Sequence, residues 1–412
     1  MRKFTQNGIN FSYFRRIHGR LDPSTVFENI KRRSGWFLEN LTLRKLLNII
    51  GGVTQFAGKS EWMLAWPAVL KIDISPLCNL KCTVCVHASP NGNDALEKQT
   101  FHSSQKMSVD QFRQIVNEIK GKTSAVSLYY YGDPLAHPHL EEICRIARDA
   151  GLNVHISTNL SFALSDDRIK RIVQSGLTHF TVCVDGLSQE KYQRTRVGGR
   201  IDRVLANLER VCRFRREYGQ NYPKIEVQYI KFQHNVDEVE KAQALFTEMG
   251  VDRVTSFWGW LDNYTDHNFG AYPVHGPKKS QLLPQCHWPH FSMLVRYNGQ
   301  VVPCANYRMG EQNTSPEGSR GLGNVFETSV REVWNSPQYR AARRLVSNPE
   351  LATRETVLQE HFCYGCPAIF HTDREKHIRS GSDYTFEELY SLGDKGIPIR
   401  RPVSASNAGQ SG

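Results

Sequence analysis

Apolar positions along this chain fall into two alternating periods. Between residues 69 and 258, short runs rich in β-branched and aromatic residues alternate with longer stretches in which apolar residues recur at helical spacing, the pattern of parallel βα units. Six such units can be counted, with strands predicted at Val69–Ile74, Ala125–Tyr131, Asn153–Ser157, His179–Val184, Lys224–Ile230 and Arg253–Trp258. Ser108, with Gln111 three residues on, reads as a capping box ahead of Phe112, Ile115, Val116 and Ile119, because the two side chains can each satisfy an orphan backbone N–H of the other. Gly151, Gly176 and Gly250 follow helical stretches as C-terminal stops. Six parallel units predict an α/β fold, a partial (β/α)6 TIM-like barrel, and in such barrels the chemistry gathers at the C-terminal ends of the strands.

The alternation stops after Trp258. Residues 276–370 carry short strands, many turns and four cysteines, which predicts a small α+β domain. From His371 the composition turns polar, and residues 402–412 read as a disordered end. The organisation that follows is a basic helical extension over 1–66, a core over 67–275, the small domain over 276–370 and a polar, partly disordered tail over 371–412. A chain of 412 residues has room for roughly two to three domains of about 150 residues each.

Charge changes the picture at one end. The net charge is +11, and the first fifty residues hold ten Lys and Arg against Asp22, Glu28 and Glu39. Such an arm could attract an anionic substrate, an acidic peptide, nucleic acid or a lipid surface. The plainer expectation is that Trp36, Phe37, Leu38, Leu41, Leu43, Leu46, Leu47 and Ile50 form an apolar helix face that docks on the core, with basic side chains solvated outside. The start shows no apolar signal region, and the apolar stretch Leu46–Val53 falls far short of the ~20 residues a membrane span needs. The expected compartment is the cytoplasm, with no membrane span. Ten cysteines in a reducing compartment point to metal and away from disulfides.

Directly after the first predicted strand stands Cys78-Asn79-Leu80-Lys81-Cys82-Thr83-Val84-Cys85, a C-x3-C-x2-C loop. Three thiolates on one tight loop can hold three irons of a [4Fe–4S] cubane and leave the fourth iron open. A zinc site, usually built from four ligands with C-x2-C pairs, is the rival. With this spacing after the first barrel strand and five further βα units behind it, the chain resembles the radical SAM superfamily. Val84 departs from the aromatic residue common before the third cysteine.

Three further segments sustain the resemblance at successive strand ends. Tyr131-Gly132-Asp133-Pro134 is similar to the family's Gly-Gly-Glu-Pro segment, which implies that Gly132, Asp133 and Pro134 receive the cofactor's amino group; Tyr131 and Asp133 replace the usual first Gly and the Glu. Ser157, Thr158 and Asn159 end the third strand with groups suited to ribose hydroxyls. Asp185 and Gly186 end the fourth, similar to the family's Ser-Ile-Asp-Gly, and Arg196 downstream could pair with the cofactor carboxylate. The resemblance implies S-adenosylmethionine as cofactor, its reductive cleavage to a 5′-deoxyadenosyl radical, hydrogen abstraction from substrate, and an electron donor of flavodoxin or ferredoxin type.

In the C-terminal segment, Cys286, Gly299 and Cys304 form a C-x12-G-x4-C arrangement that Cys363-Tyr364-Gly365-Cys366 closes. Gly323-Asn324-Val325 and Glu332-Val333-Trp334-Asn335-Ser336-Pro337 resemble the SPASM/twitch extensions of radical SAM enzymes. The four thiolates could fully ligate a second, auxiliary [4Fe–4S] cluster, with a zinc ribbon as rival.

A fully ligated cluster offers an outlet for one electron, so oxidation of a hydroxyl-bearing carbon is the first expectation. Redox-neutral epimerisation is the other, with Cys183 as candidate hydrogen donor from the strand interior; Cys144 and Cys212 read as core. Trp258, Trp260 and Asp262 could stack on a sugar-like ring or simply seal a domain contact. The leading reading is a radical SAM oxidoreductase acting on a small, sugar-like or anionic molecule of carbohydrate or aminocyclitol type. Radical modification of a ribosomal peptide is the close alternative, and a zinc-stabilised nucleic-acid-binding protein is the remote one.

Overall fold

The computed structural model describes residues 39–85, 105–261, 273–305, 321–373, 380–392 and 398–401. Six strands follow the alternation read from the sequence: β1 Val69–Ile72, β2 Ala125–Ser127, β3 Asn153–Thr158, β4 His179–Val184, β5 Lys224–Lys231 and β6 Arg253–Trp258. They pair in parallel and in chain order, β1 to β6, as an open barrel wall. Helices α2 Val109–Ile119, α3 Leu140–Asp149, α4 Asp166–Val173, α5 Gln189–Thr195, α6 Ile201–Glu217 and α7 Val239–Glu248 lie between them, and α1 Leu43–Ala57 precedes them. The capping box at Ser108 and Gln111 is formed, and Gly151, Gly176 and Gly250 take positive φ after their helices. β1 and β2 end earlier than the apolar runs suggest, because the chain beyond them leaves the ladder to build the loops of the site.

The two faces of the wall differ. Leu70, Ile72, Val126, Val154, Ile156, Phe180, Val182, Val184, Ile225 and Val227 are wholly buried beneath the helices. Each such side chain fully buried contributes roughly 1.5–3 kcal/mol. By strand alternation the opposite face carries Lys71, Ser127, His155, Ser157, Thr181, Cys183, Glu226 and Gln228. A barrel interior of this class is ordinarily packed with branched apolar side chains, so this one is polar where filling would be expected.

The C-terminal segment continues the same sheet. β7 Val274–Pro277 pairs with β11 Phe370–Thr372, while β8 Ser292–Val295 runs parallel to β1, and β9 Gln300–Val302 and β10 Gly323–Asn324 follow antiparallel. The result is a nine-stranded sheet in the order β10-β9-β8-β1-β2-β3-β4-β5-β6. Its joint is made by short α8 Trp288–Phe291, α9 Val330–Trp334 and α10 Pro337–Ser347. Buried Trp334 donates its indole N–H to the Ala65 carbonyl, Asn335 bonds both N–H and C=O of Met63, and buried Arg343 donates to the carbonyls of Pro289, Trp334 and Glu61. Burial lowers the Arg343 guanidinium to about 9.

Helix α1 reverses the sequence expectation. Leu43, Leu46, Leu47 and Ile50, together with Val53, are exposed, and the side facing the barrel carries Lys45, Asn48, Gly52 and Gln55. The inward side is held by hydrogen bonds: Lys45 Nζ to the carbonyls of Asn40 and Gly151, and Asn48 to those of Trp66 and Lys122. Gly52 sits so close to Phe291 that a Cβ would stand 3.3 Å from its ring. Backbone carbonyls at the lower rim of the barrel call for donors, and the polar stripe of α1 supplies them. Trp36, Phe37 and Leu38 lie outside the described residues, as do Asp262 and 402–412.

In the tail, α11 Phe386–Leu389 leads into β12 Tyr390–Leu392, which pairs with β13 Pro398–Arg400. Phe386 and Tyr390 are buried in a cluster with Phe232 and Leu261, and the Tyr390 hydroxyl donates to the Leu261 carbonyl at 2.6 Å. This part of 371–412 is packed, which its polar composition hides. The Trp260 backbone bridges to Ser380, and the Lys231 ammonium lies 5.1 Å over the Trp258 ring.

Candidate functional site

The loop bearing Cys78, Cys82 and Cys85 leaves the C-terminal end of β1 and is fastened to three neighbouring strand ends. After β2, Gly132 passes so close that an added Cβ would stand 2.2 Å from the Ser75 carbonyl and 2.4 Å from that of Leu77, and Asp133 N–H donates to Leu77 at 2.8 Å. After β3, the Asn159 amide donates to Asn79 at 3.0 Å and approaches Cys78 Sγ at 3.7 Å, while Asn79 donates to the Ser161 carbonyl. In the last turn of α5, the Thr195 and Arg194 carbonyls accept from the Thr83 N–H and hydroxyl, and just beyond it the Val197 carbonyl accepts from Lys81 N–H. The spacing in the loop sets which thiols meet, and these ties set where they meet.

The thiols share one environment. Burial raises the Cys78 thiol well above its ordinary range, with Asp133, Cys82 and Cys85 adding to it. Burial pushes Cys82 up to about 12 against the pull of Arg196, which also donates a hydrogen bond to it. Among the described residues no three His, Cys, Asp or Glu side chains converge as the ligands of one ion do. A cubane needs a wider set, one thiolate per iron, and three mutually coupled thiols on one loop beside a guanidinium fit it.

The remaining expected residues divide by what they touch. The Asp133 carboxylate accepts from Leu135 N–H at 3.0 Å, the Thr158 hydroxyl at 2.8 Å, Asn159 N–H at 2.7 Å and the Asn159 amide at 2.8 Å. Burial nonetheless pushes it up to about 6. Asp133 therefore caps the short turn begun by Pro134 and binds the ends of β2 and β3 together, and the side chains of Thr158 and Asn159 are taken up in the same network. Ser157 stays apart from it, its hydroxyl 3.5 Å from Cys183 Sγ. Asp185 takes the Arg196 fork at 2.8 and 3.0 Å and the Thr195 hydroxyl at 2.9 Å. The guanidinium that the sequence offered to a cofactor carboxylate is thus held on Asp185, within electrostatic reach of Cys82 and Cys183. Cys144 and Cys212 are buried core, as expected.

Below these loops the side chains of the polar face bond to one another in two groups. Ser127 Oγ meets His155 Nδ1 at 3.1 Å, His155 Nε2 meets Thr181 Oγ1 at 2.9 Å, and Thr255 donates to Glu226 at 2.8 Å. The Lys71 ammonium lies 4.0 Å over the Tyr129 ring, which packs edge-on to His155. Sequence reading missed this set, along with Asn79, Thr83 and Thr195. The signal was present as strict polar–apolar alternation in β3, β4 and β5, where strands covered on both faces ordinarily read as continuous apolar runs.

A second group of thiols stands in the C-terminal segment. Burial raises Cys363 well above its ordinary range, and Cys366, Cys286 and Cys304 each add to it, so all four are within electrostatic reach. Gly365 takes φ +74° inside the C-x2-C turn. Gly299 takes φ +83° in the β8–β9 hairpin, where a Cβ would meet Asn324 Oδ1 at 2.3 Å. Four thiols within reach of one another fit a fully ligated cluster.

Comparison with known proteins agrees with this arrangement. A model of the radical SAM superfamily matches residues 72–218, and a model of an iron–sulfur cluster-binding domain, SPASM, matches 286–367. An AdoMet-dependent heme synthase of Methanosarcina barkeri is 24% identical over 79% of this chain and 96% of its own length. A tungsten-containing aldehyde ferredoxin oxidoreductase cofactor-modifying protein of Pyrococcus furiosus is 22% identical over 68% of this chain and 84% of its own. The crystal structure of Streptococcus suis SuiB superposes with a TM-score of 0.51 at 16% identity, covering 72% of each chain.

Proposed function

This chain is a radical SAM enzyme with a C-terminal SPASM iron–sulfur domain, and we propose that it acts on a hydroxylated carbon of a small sugar-like or aminocyclitol-like substrate, oxidising or epimerising it. The observation that carries the reading is the polar interior. Lys71, Ser127, His155, Thr181, Glu226 and Gln228 offer donors and acceptors on the concave face of the wall, where a polyhydroxylated molecule loses water and must regain hydrogen bonds.

Cys78, Cys82 and Cys85 would hold the first cluster, and Cys286, Cys304, Cys363 and Cys366 the auxiliary one. When bound, the first cluster with S-adenosylmethionine supplies a hydrogen-abstracting 5′-deoxyadenosyl radical, and the auxiliary cluster supplies an acceptor for one electron. The chain's own residues do the rest. Asn159, Asn79 and Thr83 orient the thiolate loop, and Asp185 fixes the Arg196 guanidinium beside Cys82. His155, with a hydroxyl on each ring nitrogen, fixes the orientation of Ser127 and Thr181 on the polar face.

Cys183 favours epimerisation as the second reading. Its thiol lies against Ser157 and beside Arg196, on the face where a hydrogen could be returned to a carbon radical.

The test is anaerobic incubation of the reconstituted enzyme with reductant, S-adenosylmethionine and a panel of cyclitols, amino sugars and peptides, following 5′-deoxyadenosine. The expected result is substrate-stimulated release with a polyol and its abolition in Cys78→Ala/Cys82→Ala/Cys85→Ala. Cleavage that persists in the triple variant would refute the site, and stimulation by peptides alone would transfer the enzyme to peptide chemistry. In deuterated solvent, oxidation gives a product two hydrogens lighter, whereas epimerisation places one deuterium on carbon and should vanish in Cys183→Ala.

A further inference from the structure

The outward face of α1 has no role in the chemistry above, and it gathers five of the exposed large apolar side chains of the described residues on one helix. Leu43, Leu46, Leu47, Ile50 and Val53 recur at helical spacing and are 72, 39, 59, 52 and 52% exposed, and Trp62 and Leu64, a few residues beyond the helix, are 53 and 73% exposed. Soluble monomers seldom leave so contiguous a stripe open to water. The usual remedy, turning the helix over, is closed to this one: the opposite stripe is engaged through Lys45, Asn48 and Gln55, and Gly52 fits against Phe291.

The rim of the patch is basic. Arg44 is exposed on α1 itself, Arg340 lies over the Trp62 ring at 6.0 Å, and Arg331 donates to the Leu64 carbonyl. Lys122 sits over Trp66 and within electrostatic reach of Arg44 and Arg331. The nearby carboxylates are engaged, Glu61 with Arg344 and Glu118 with the Val330 N–H. The 38 residues that precede the described chain carry eight Lys and Arg against Asp22 and Glu28, with Phe4, Phe11, Phe14, Trp36 and Phe37 among them.

We infer that the outward face of α1, with its basic rim, binds reversibly to the surface of an anionic lipid bilayer. Charge selects this occupant over the others. A second copy would bring one positive rim against another, and folding the basic segment back onto the patch would do the same, whereas anionic headgroups receive both sets of cations while the leucines enter the acyl boundary. No helix among the described residues is long and apolar enough to cross a membrane, so attachment would be peripheral.

The geometry gives attachment a definite orientation. Helix α1 bonds to carbonyls just before β1, β2 and β3 and packs on Phe291 just before β8, which is the N-terminal rim of the sheet. The thiolate loop lies at the other end, so a protein resting on α1 keeps its site open to the aqueous side.

The experiment is co-sedimentation of the full-length, cluster-loaded protein with vesicles of phosphatidylcholine plus phosphatidylglycerol, against vesicles of phosphatidylcholine alone. The expected result is binding to the anionic vesicles that falls as salt is raised, with Leu47→Glu/Ile50→Glu lowering the partition about tenfold or more. S-adenosylmethionine cleavage in solution should be unchanged in that variant. Should it lose its visible cluster absorption, Leu43→Gln/Leu47→Gln replaces it in the same assay. Wild-type protein that stays in the supernatant overturns the inference. So does equal sedimentation of wild type and variant, which would assign binding to the basic segment alone, and so does a wild-type dimer that the substitutions dissociate, which would make the face an interface between copies.

Discussion

Gly132 shows how far a single residue can govern the site. Its hydrogen is all that fits between the strand end and the Ser75 and Leu77 carbonyls, and those carbonyls belong to the chain leading into Cys78. Gly132→Ala should therefore push the thiolate loop off its seat. The expected outcome is loss of most of the first cluster with the auxiliary one retained, read as roughly half the iron and sulfide per chain after anaerobic reconstitution. Full iron content would show that the loop finds its place without this close approach. At this scale the cysteine spacing was legible from sequence alone, because ligand count and separation within one short loop are local properties. The partners of Asp133 and Arg196 were not, since both act on residues brought close by folding: Asp133 on Thr158 and Asn159, Arg196 on Asp185 across the turn after β4.

Elements were read well where their periodicity was strong. β4 and β6 begin and end where their apolar runs do, and the Ser108 box starts α2 as expected. Helix α1 was read with the correct faces and the wrong orientation, because amphipathicity identifies two sides without saying which one a neighbour needs. Its seat contains a pH-sensitive group. His290, buried edge-on to Phe56, is held down to about 3 by burial first and by Arg343 next. A histidine depressed in the folded state and ordinary in the unfolded one binds protons preferentially when unfolded, so stability is full above about pH 6.5 and falls as pH drops toward 3. His290→Gln should flatten this acid limb, measured as the denaturant midpoint between those pH values in wild type and variant. An unchanged slope would mean that other groups set it.

For the whole molecule, the joining of two cysteine groups on one sheet has consequences. β8 adds to β1, so the hairpin that carries Gly299 toward Cys304 extends from the strand whose end carries Cys78. Trp334, Asn335 and Arg343 lock this joint through backbone carbonyls and leave the thiols outside it. Cys363→Ala/Cys366→Ala should consequently remove the auxiliary cluster and leave the first, with S-adenosylmethionine cleavage retained and the proposed alcohol oxidation lost. The checks are electron paramagnetic resonance of the reduced protein and 5′-deoxyadenosine counted against oxidised product. Oxidation at wild-type yield would remove the auxiliary site from the electron's path.

By itself the sequence determined the parallel βα succession, the three-cysteine loop and the cysteine spacing of the second group, all of which depend on spacing along a few dozen residues. Only the tertiary structure decided that the second segment extends the barrel sheet, that the interior is polar and linked through His155, and that α1 presents its leucines outward. The physical reason is common to the three. Each depends on which surface satisfies the hydrogen bonds of another, and periodicity records that a face exists without recording what it will meet.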